Sequence, residues 1–184
     1  MKAWRAVVMA VSLLLLSGCL VSFKAPLPDS EAAPQGLVGH WTSTNAWGEP
    51  LNLELVEVGP RRYQAVTYFR ARPLEREAIP VTVSRHGSRW YLSAKVPARY
   101  GGHFVIAGFE LTDKQELVIY NLDMDQINQA ISHKILSGQP NQSEEGDGVL
   151  VDSDMGAVFR YLDDPANSDV FSEAVRYQRL VKSQ

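Results

Sequence analysis

The stretch AIPVTVSRHGSRWYLSAKV, residues 78–96, decides how the chain is to be read. Ile79, Val81 and Val83 alternate with Pro80, Thr82 and Ser84. Trp90, Leu92, Ala94 and Val96 then alternate with Tyr91, Ser93 and Lys95. A period of two belongs to a strand with one face on a core. His86-Gly87-Ser88 separates the two runs as a turn, because glycine reaches φ values that other residues avoid. The segment is a hairpin, and similar units flank it. Strands are expected at 38–44, 51–58, 62–70, 78–84, 89–96, 103–111 and 116–121. Breaks fall at Trp47-Gly48-Glu49-Pro50, Gly59-Pro60, His86-Gly87-Ser88 and Gly101-Gly102. Short strands joined by short turns predict an antiparallel meander, which loses its exposed edges by closing into a barrel.

The pattern changes at Asp123. Asp123 with Gln126 suits a capping box, and Ile127, Ile131 and Ile135, with Ala130, mark an amphipathic helix of about three turns. Residues 137–148 read as a polar, glycine-containing loop and 148–151 as a short strand. Asp152 or Ser153 then caps a second helix, with Met155, Val158, Phe159 and Leu162 on one stripe. Asp164-Pro165 is a boundary, 168–174 fits a helical turn or two, and a last strand at 174–181 returns to close the barrel. The expected fold is mainly β: an antiparallel meander closing into a barrel of about eight strands. Two or three short helices, near 123–173, are inserted before the last strand.

The first eighteen residues stand apart from that domain. Lys2 and Arg5 precede an apolar run from Val7 to Leu16, interrupted by Ser12 and followed by Ser17-Gly18. This is secretory signal architecture, and the run is too short for a comfortable membrane span. Leu16-Ser17-Gly18-Cys19 resembles the lipobox of bacterial lipoproteins. The resemblance implies cleavage before Cys19, a diacylglyceryl group on its thiol and an acylated new amino terminus. Two or more acyl chains, at about 0.8 kcal/mol per buried methylene, hold a protein on a membrane essentially permanently. In that class an aspartate after the cysteine commonly retains the protein at the inner membrane. Leu20 therefore implies the outer membrane, facing the periplasm. Cys19 is the single cysteine, so once lipidated it leaves the mature domain no thiol. Residues 19–36 are expected as a lipidated flexible tether spanning roughly 25 Å, with the folded domain at 37–184.

Gly39-His40-Trp41, heading the first strand of the meander, is similar to the Gly-x-Trp opening of lipocalin-like barrels, where the tryptophan packs over one barrel end. The fuller resemblance is to a loose group of small bacterial proteins, many of them lipoproteins, with a lipocalin-like barrel of unassigned function. The matching residues are Leu117-Val118-Ile119-Tyr120-Asn121-Leu122-Asp123, Gly148-Val149-Leu150-Val151, Val158-Phe159-Arg160-Tyr161-Leu162 and Val170-Phe171. Asp152-Ser153-Asp154 departs from it, standing where a threonine-rich cap is more usual. The group implies a fold and no activity.

No residues single themselves out for catalysis. His40, His86, His103 and His133 include no pair at the helical spacing of a metal site, and no HExxH occurs. Asp123-x-Asp125-x-x-Asn128 fails as a calcium loop, because Ile127 and Asn128 stand where an oxygen ligand and a glycine are required. Glu144, Glu145, Asp147, Asp152 and Asp154 suit a solvated loop and a helix cap, with a weak calcium site as the alternative. No G-x-S-x-G occurs. No cofactor is implied beyond the acyl and diacylglyceryl groups on Cys19.

Charge is segregated within an overall net of −3. Residues 60–103 carry nine Lys and Arg against two Glu, while 104–173 carry fourteen acidic residues against three basic ones. Arg61, Arg62, Arg70, Arg72 and Arg76 are candidates for a surface facing an anionic partner, either anionic lipid or an acidic patch of an envelope protein. The alternative is pairing within the fold. Nucleic acid is disfavoured by location and overall acidity. The aromatic residues, Trp41, Trp47, Tyr63, Trp90 and Phe109 among them, either fill the barrel or line a pocket in it. The leading expectation is a non-enzymatic, membrane-anchored, periplasm-facing binding or interaction module. A carrier or sensor of a small apolar ligand is the alternative, and a hydrolase using acidic residues of 123–164 is a third reading.

Overall fold

The computed structural model describes residues 20–28, 31–45, 48–98, 101–143 and 146–180. The barrel consists of β2 (Gly39–Thr44), β3 (Pro50–Gly59), β4 (Arg62–Phe69), β5 (Glu77–His86), β6 (Arg89–Lys95), β7 (Phe104–Leu111), β8 (Glu116–Leu122) and β11 (Phe171–Arg179). Each strand pairs antiparallel with the next, β11 lies between β8 and β2, and the β6–β7 pairing completes the ring. The fold is thus mainly β with a closed eight-stranded antiparallel barrel. Closure between β11 and β2 is short. Gln178 pairs with Thr42 and Arg179 with Trp41, and Ser43 Oγ donates to Arg176 O at 2.8 Å.

On the β8 side, Glu116 accepts from Gln178 Nε2 at 2.6 Å and from Arg176 Nη1 at 2.6 Å. These bonds, that of Gln178 first, hold its carboxyl below the usual carboxylate range. Because the folded value is the lower one, this contribution is present at neutral pH and fades as pH falls through it.

The connection from β8 to β11 holds α1 (Met124–Ser132), a hairpin of β9 (Gly138–Ser143) and β10 (Gly146–Val151), α2 (Met155–Asp163) and a 3₁₀ segment (Pro165–Val170). Asp123 Oδ1 accepts from Gln126 N at 2.9 Å and starts α1. Asp123→Ala should cost about 1 kcal/mol in thermal or urea denaturation. The reciprocal half of the capping box is not made: Asp123 N donates to Val170 O at 2.8 Å, while Gln126 Nε2 donates to Asp169 at 3.1 Å. Asp154, and neither Asp152 nor Ser153, caps α2, accepting from Ala157 N at 2.9 Å. Ser153 Oγ instead accepts from Ser137 N at 2.6 Å. Val158, Phe159, Tyr161 and Leu162 of α2 pack with Tyr91 and Ile106 in one core. A second core contains Trp41, Leu53, Tyr63, Val83, Phe109, Leu117 and Tyr177, and a small third one Ala94, Val96 and Val105.

Three local expectations are corrected. Residues 20–36 are not a free tether: Leu20–Phe23 form β1, parallel to β10 and antiparallel to β7 at Phe23–Phe104. Phe23 is 0% exposed and Leu27 and Leu37 are also buried. The apolar residues of this proline-containing stretch outweigh its lack of periodicity. Residues 137–148 are not merely a loop, because β9 pairs along β10 from Gly138–Val151 to Ser143–Gly146. β9 is set by its partner, not by its own composition. Ile135 does not extend the α1 stripe. The helix ends at Ser132, Lys134 turns the chain at φ 61°, and Leu136 enters the core while Ile135 stays 57% exposed.

Gly39 and Gly148 are glycines for different reasons. Gly39, at the head of the Gly-x-Trp triplet, adopts φ 149°, a backbone conformation that residues with a side chain rarely take. At Gly148 a Cβ would stand 2.6 Å from Leu20 O. Gly148→Ala should therefore push β1 off β10 and lower stability by about 1–3 kcal/mol, read as a fall in melting temperature.

Candidate functional site

The barrel holds a cavity of about 110 Å³. Its wall is mostly aliphatic, with Leu53, Leu55, Ile79, Val81, Leu92 and Ile119 contributed by four strands. The space arises from side-chain size. Ala65, Ala94 and Ala107 all lie on the wall, and a filled small barrel has larger side chains at such positions. The larger aromatics gather elsewhere. Trp41, Tyr63 and Phe109 are buried in the adjoining core, with Trp90 packed against it, and Tyr177 is the aromatic on the cavity wall among the described residues.

One barrel end is closed by Trp41, which is 1% exposed. Its Nε1 donates to Leu37 O at 3.0 Å, and the Arg179 guanidinium lies 4.5 Å from its ring centroid. The chain before β2 crosses this end, with Ala33 N donating to Tyr63 Oη at 2.8 Å and Glu31 N to Val83 O at 3.1 Å. Leu20 and Val21 of β1 complete the cavity wall, beside the stretch of β7 that pairs with β1.

Polar atoms on the wall are few. Thr67, Ser93, Asn121 and Tyr177 contribute them. The hydroxyls of Thr67 and Ser93 are buried without a hydrogen-bond partner among the described residues, and Ser93 is only 4% exposed. A buried hydroxyl without a partner is destabilising by roughly 1–3 kcal/mol. A hydroxyl on an apolar cavity wall can hydrogen-bond a polar atom brought into the cavity. Burial alone drives the Tyr177 phenol above its ordinary range, so it remains a hydrogen-bond donor at physiological pH.

The five candidate arginines do not share one surface. Arg61 and Arg62 sit at the β3–β4 turn, and Arg70, Arg72 and Arg76 at the far end of β4. The eight residues of β4 separate the groups by about 25 Å at ~3.3 Å per residue. Arg72 pairs with Glu75 at 3.0 Å and Arg76 with Glu54 at 3.6 Å.

His86 pairs with Asp163 and stacks on Phe159, with ring centroids 4.1 Å apart. Tyr91 Oη donates to the other Asp163 oxygen at 3.4 Å. Burial first, and Asp163 second, raise the Tyr91 phenol above its ordinary range. These contacts fasten α2 to the outside of β5 and β6. His40 lies 3.8 Å from Glu54, and His133 is the C-cap of α1. Asp123, Asp154 and Asp164 serve as caps. Among the described residues, no group of three or more His, Cys, Asp or Glu is placed to hold a metal ion, and no helix is long and apolar enough to cross a membrane. Cys19, Trp47, Glu144 and Glu145 lie outside the described residues.

Thr67 and Asn121 were legible as strand positions. Thr67 is in phase with Tyr63 and Ala65, and Asn121 with Leu117 and Ile119, so each is a polar residue on an otherwise apolar face. Leu20, Val21 and Ser93 gave no such signal. No protein-family model, curated protein or solved structure matches this chain.

Proposed function

We propose that the chain is a lipid-anchored binding protein of the bacterial cell envelope, facing the periplasm, and that its barrel holds a small apolar ligand. The resemblance of Leu16-Ser17-Gly18-Cys19 to a lipobox supports the anchor, with Cys19 as the attachment point. The observation that carries the ligand reading is the cavity of about 110 Å³, with its aliphatic wall and the unpartnered Thr67 hydroxyl. Apolar cavities of about 150 Å³ stay dry and take up molecules the size of benzene. The ligand is accordingly a compact apolar group bearing one or two polar atoms, and the protein acts by binding it, not by transforming it.

The test fills the cavity. Benzene added to the purified protein should raise its melting temperature, and native mass spectrometry of gently purified protein should show a bound small molecule. Ala107→Leu should abolish both effects, weakening benzene binding by more than tenfold, while the variant's own melting temperature stays level or rises. A parent protein that neither responds to benzene nor carries a bound molecule would end the ligand reading. The anchor is tested separately: Cys19→Ser should move the protein out of the membrane fraction.

A further inference from the structure

Leu74 is 97% exposed, the highest value for a large apolar side chain among the described residues. It lies near the tip of the β4–β5 loop, within Arg70-Ala71-Arg72-Pro73-Leu74-Glu75-Arg76. That loop is internally bonded. Arg72 N donates to Phe69 O at 2.9 Å, Glu75 N to Arg72 O at 3.0 Å, and Arg76 Nε to Pro73 O at 3.1 Å. Pro73 fixes its own φ immediately before the leucine. The presentation of Leu74 to solvent is therefore built into the turn.

The surrounding cations are held as well. The Arg72 guanidinium lies 5.0 Å from the Phe69 ring centroid, and that of Arg76 lies 4.3 Å from Tyr68. Glu75 and Glu54 offset part of this charge. Arg70 is exposed and makes no ion pair among the described residues. An isolated leucine framed by guanidinium groups matches an anionic bilayer: the apolar side chain enters the acyl boundary and the arginines meet phosphates. An acidic protein surface would match the arginines alone, because a protein interface needs a broader apolar centre than one side chain.

We propose that the β4–β5 loop is a docking point for anionic lipid, with Leu74 inserting at the interface and Arg70, Arg72 and Arg76 binding headgroup phosphates. The docking needs neither the cavity ligand nor the lipid on Cys19, so it stands or falls apart from them. It places the bilayer at the β4–β5 end of the barrel, where Thr67 and Ile79 of the cavity wall lie just inside the strand ends.

The test puts an environment-sensitive nitrobenzoxadiazole label at Leu74→Cys in a full chain carrying Cys19→Ser, which leaves the introduced thiol as the only one. A second protein carries the label at Val58→Cys, an exposed apolar site at the other end of β3. With phosphatidylcholine vesicles containing phosphatidylglycerol, the Leu74 label should shift to the blue and brighten, and the Val58 label should not. Pure phosphatidylcholine should give a much weaker response. Each arginine replaced by alanine should raise the lipid needed for half the shift by about fivefold, with the melting temperature unchanged. Arg70→Ala alone suffices if the Arg72 or Arg76 variant does not fold. The proposal is overturned by no response at Leu74, by equal responses at Leu74 and Val58, or by equal responses to neutral and anionic vesicles. Capture of an acidic protein without a vesicle response would overturn it too.

Discussion

Trp41→Ala is expected to lower the free energy of unfolding by about 3–5 kcal/mol, a large share of the roughly 5–15 kcal/mol that holds a typical domain together. The indole is 1% exposed and sits where β2 meets both β3 and β11. Truncation empties the closed end of the barrel and leaves Leu37 O without its donor. It also takes away the face on which the Arg179 guanidinium rests. Urea denaturation gives the number through the shift in midpoint at unchanged slope. Trp41→Phe should cost less, because it keeps a ring and loses chiefly the Nε1 hydrogen bond. A midpoint for Trp41→Ala within error of the parent would mean that this end of the barrel is held by something else.

The second large effect falls where the sequence promises least. Phe23→Ala should cost about 3–5 kcal/mol, although Phe23 belongs to a stretch whose composition reads as a tether. The side chain is 0% exposed and packs in one core with Val21, Leu27, Val149 and Val151. A tether residue would tolerate the change with almost no loss, so the two descriptions of residues 20–36 differ by several kcal/mol in a single denaturation experiment. Lys24→Ala is the control, because the Lys24 side chain is exposed while its backbone N donates to Val151 O at 3.0 Å. Its substitution should leave the midpoint unmoved.

Most strands of the meander were legible because they carry their own signal: a period of two, clearest in 78–84 and 89–96, or a glycine or proline at the following turn. Asp123 announced α1 by the same kind of local chemistry. β1 and β9 had no local signal. Leu20–Phe23 show no alternation and find their partner far along the chain, while Gly138–Ser143 are polar and owe their extension to β10.

The cavity was illegible for a related reason. Ala65, Ala94 and Ala107 come from three different strands, and only the closed barrel brings their small side chains together around one space. The division of the arginines, by contrast, was there to be read: a strand of eight residues between Arg61-Arg62 and Arg70 sends the two groups to opposite ends.

The position of β1 also carries a consequence for the order of assembly. Ser22 Oγ donates to Val149 O across 127 positions of sequence, at 3.1 Å, so the first described strand cannot dock until most of the chain exists. Contacts of such separation form late, because the intervening loop must first be closed at an entropic cost. The ring has the same requirement, since β2 waits for β11. Leu20–Phe23 are therefore among the last of the described residues to settle.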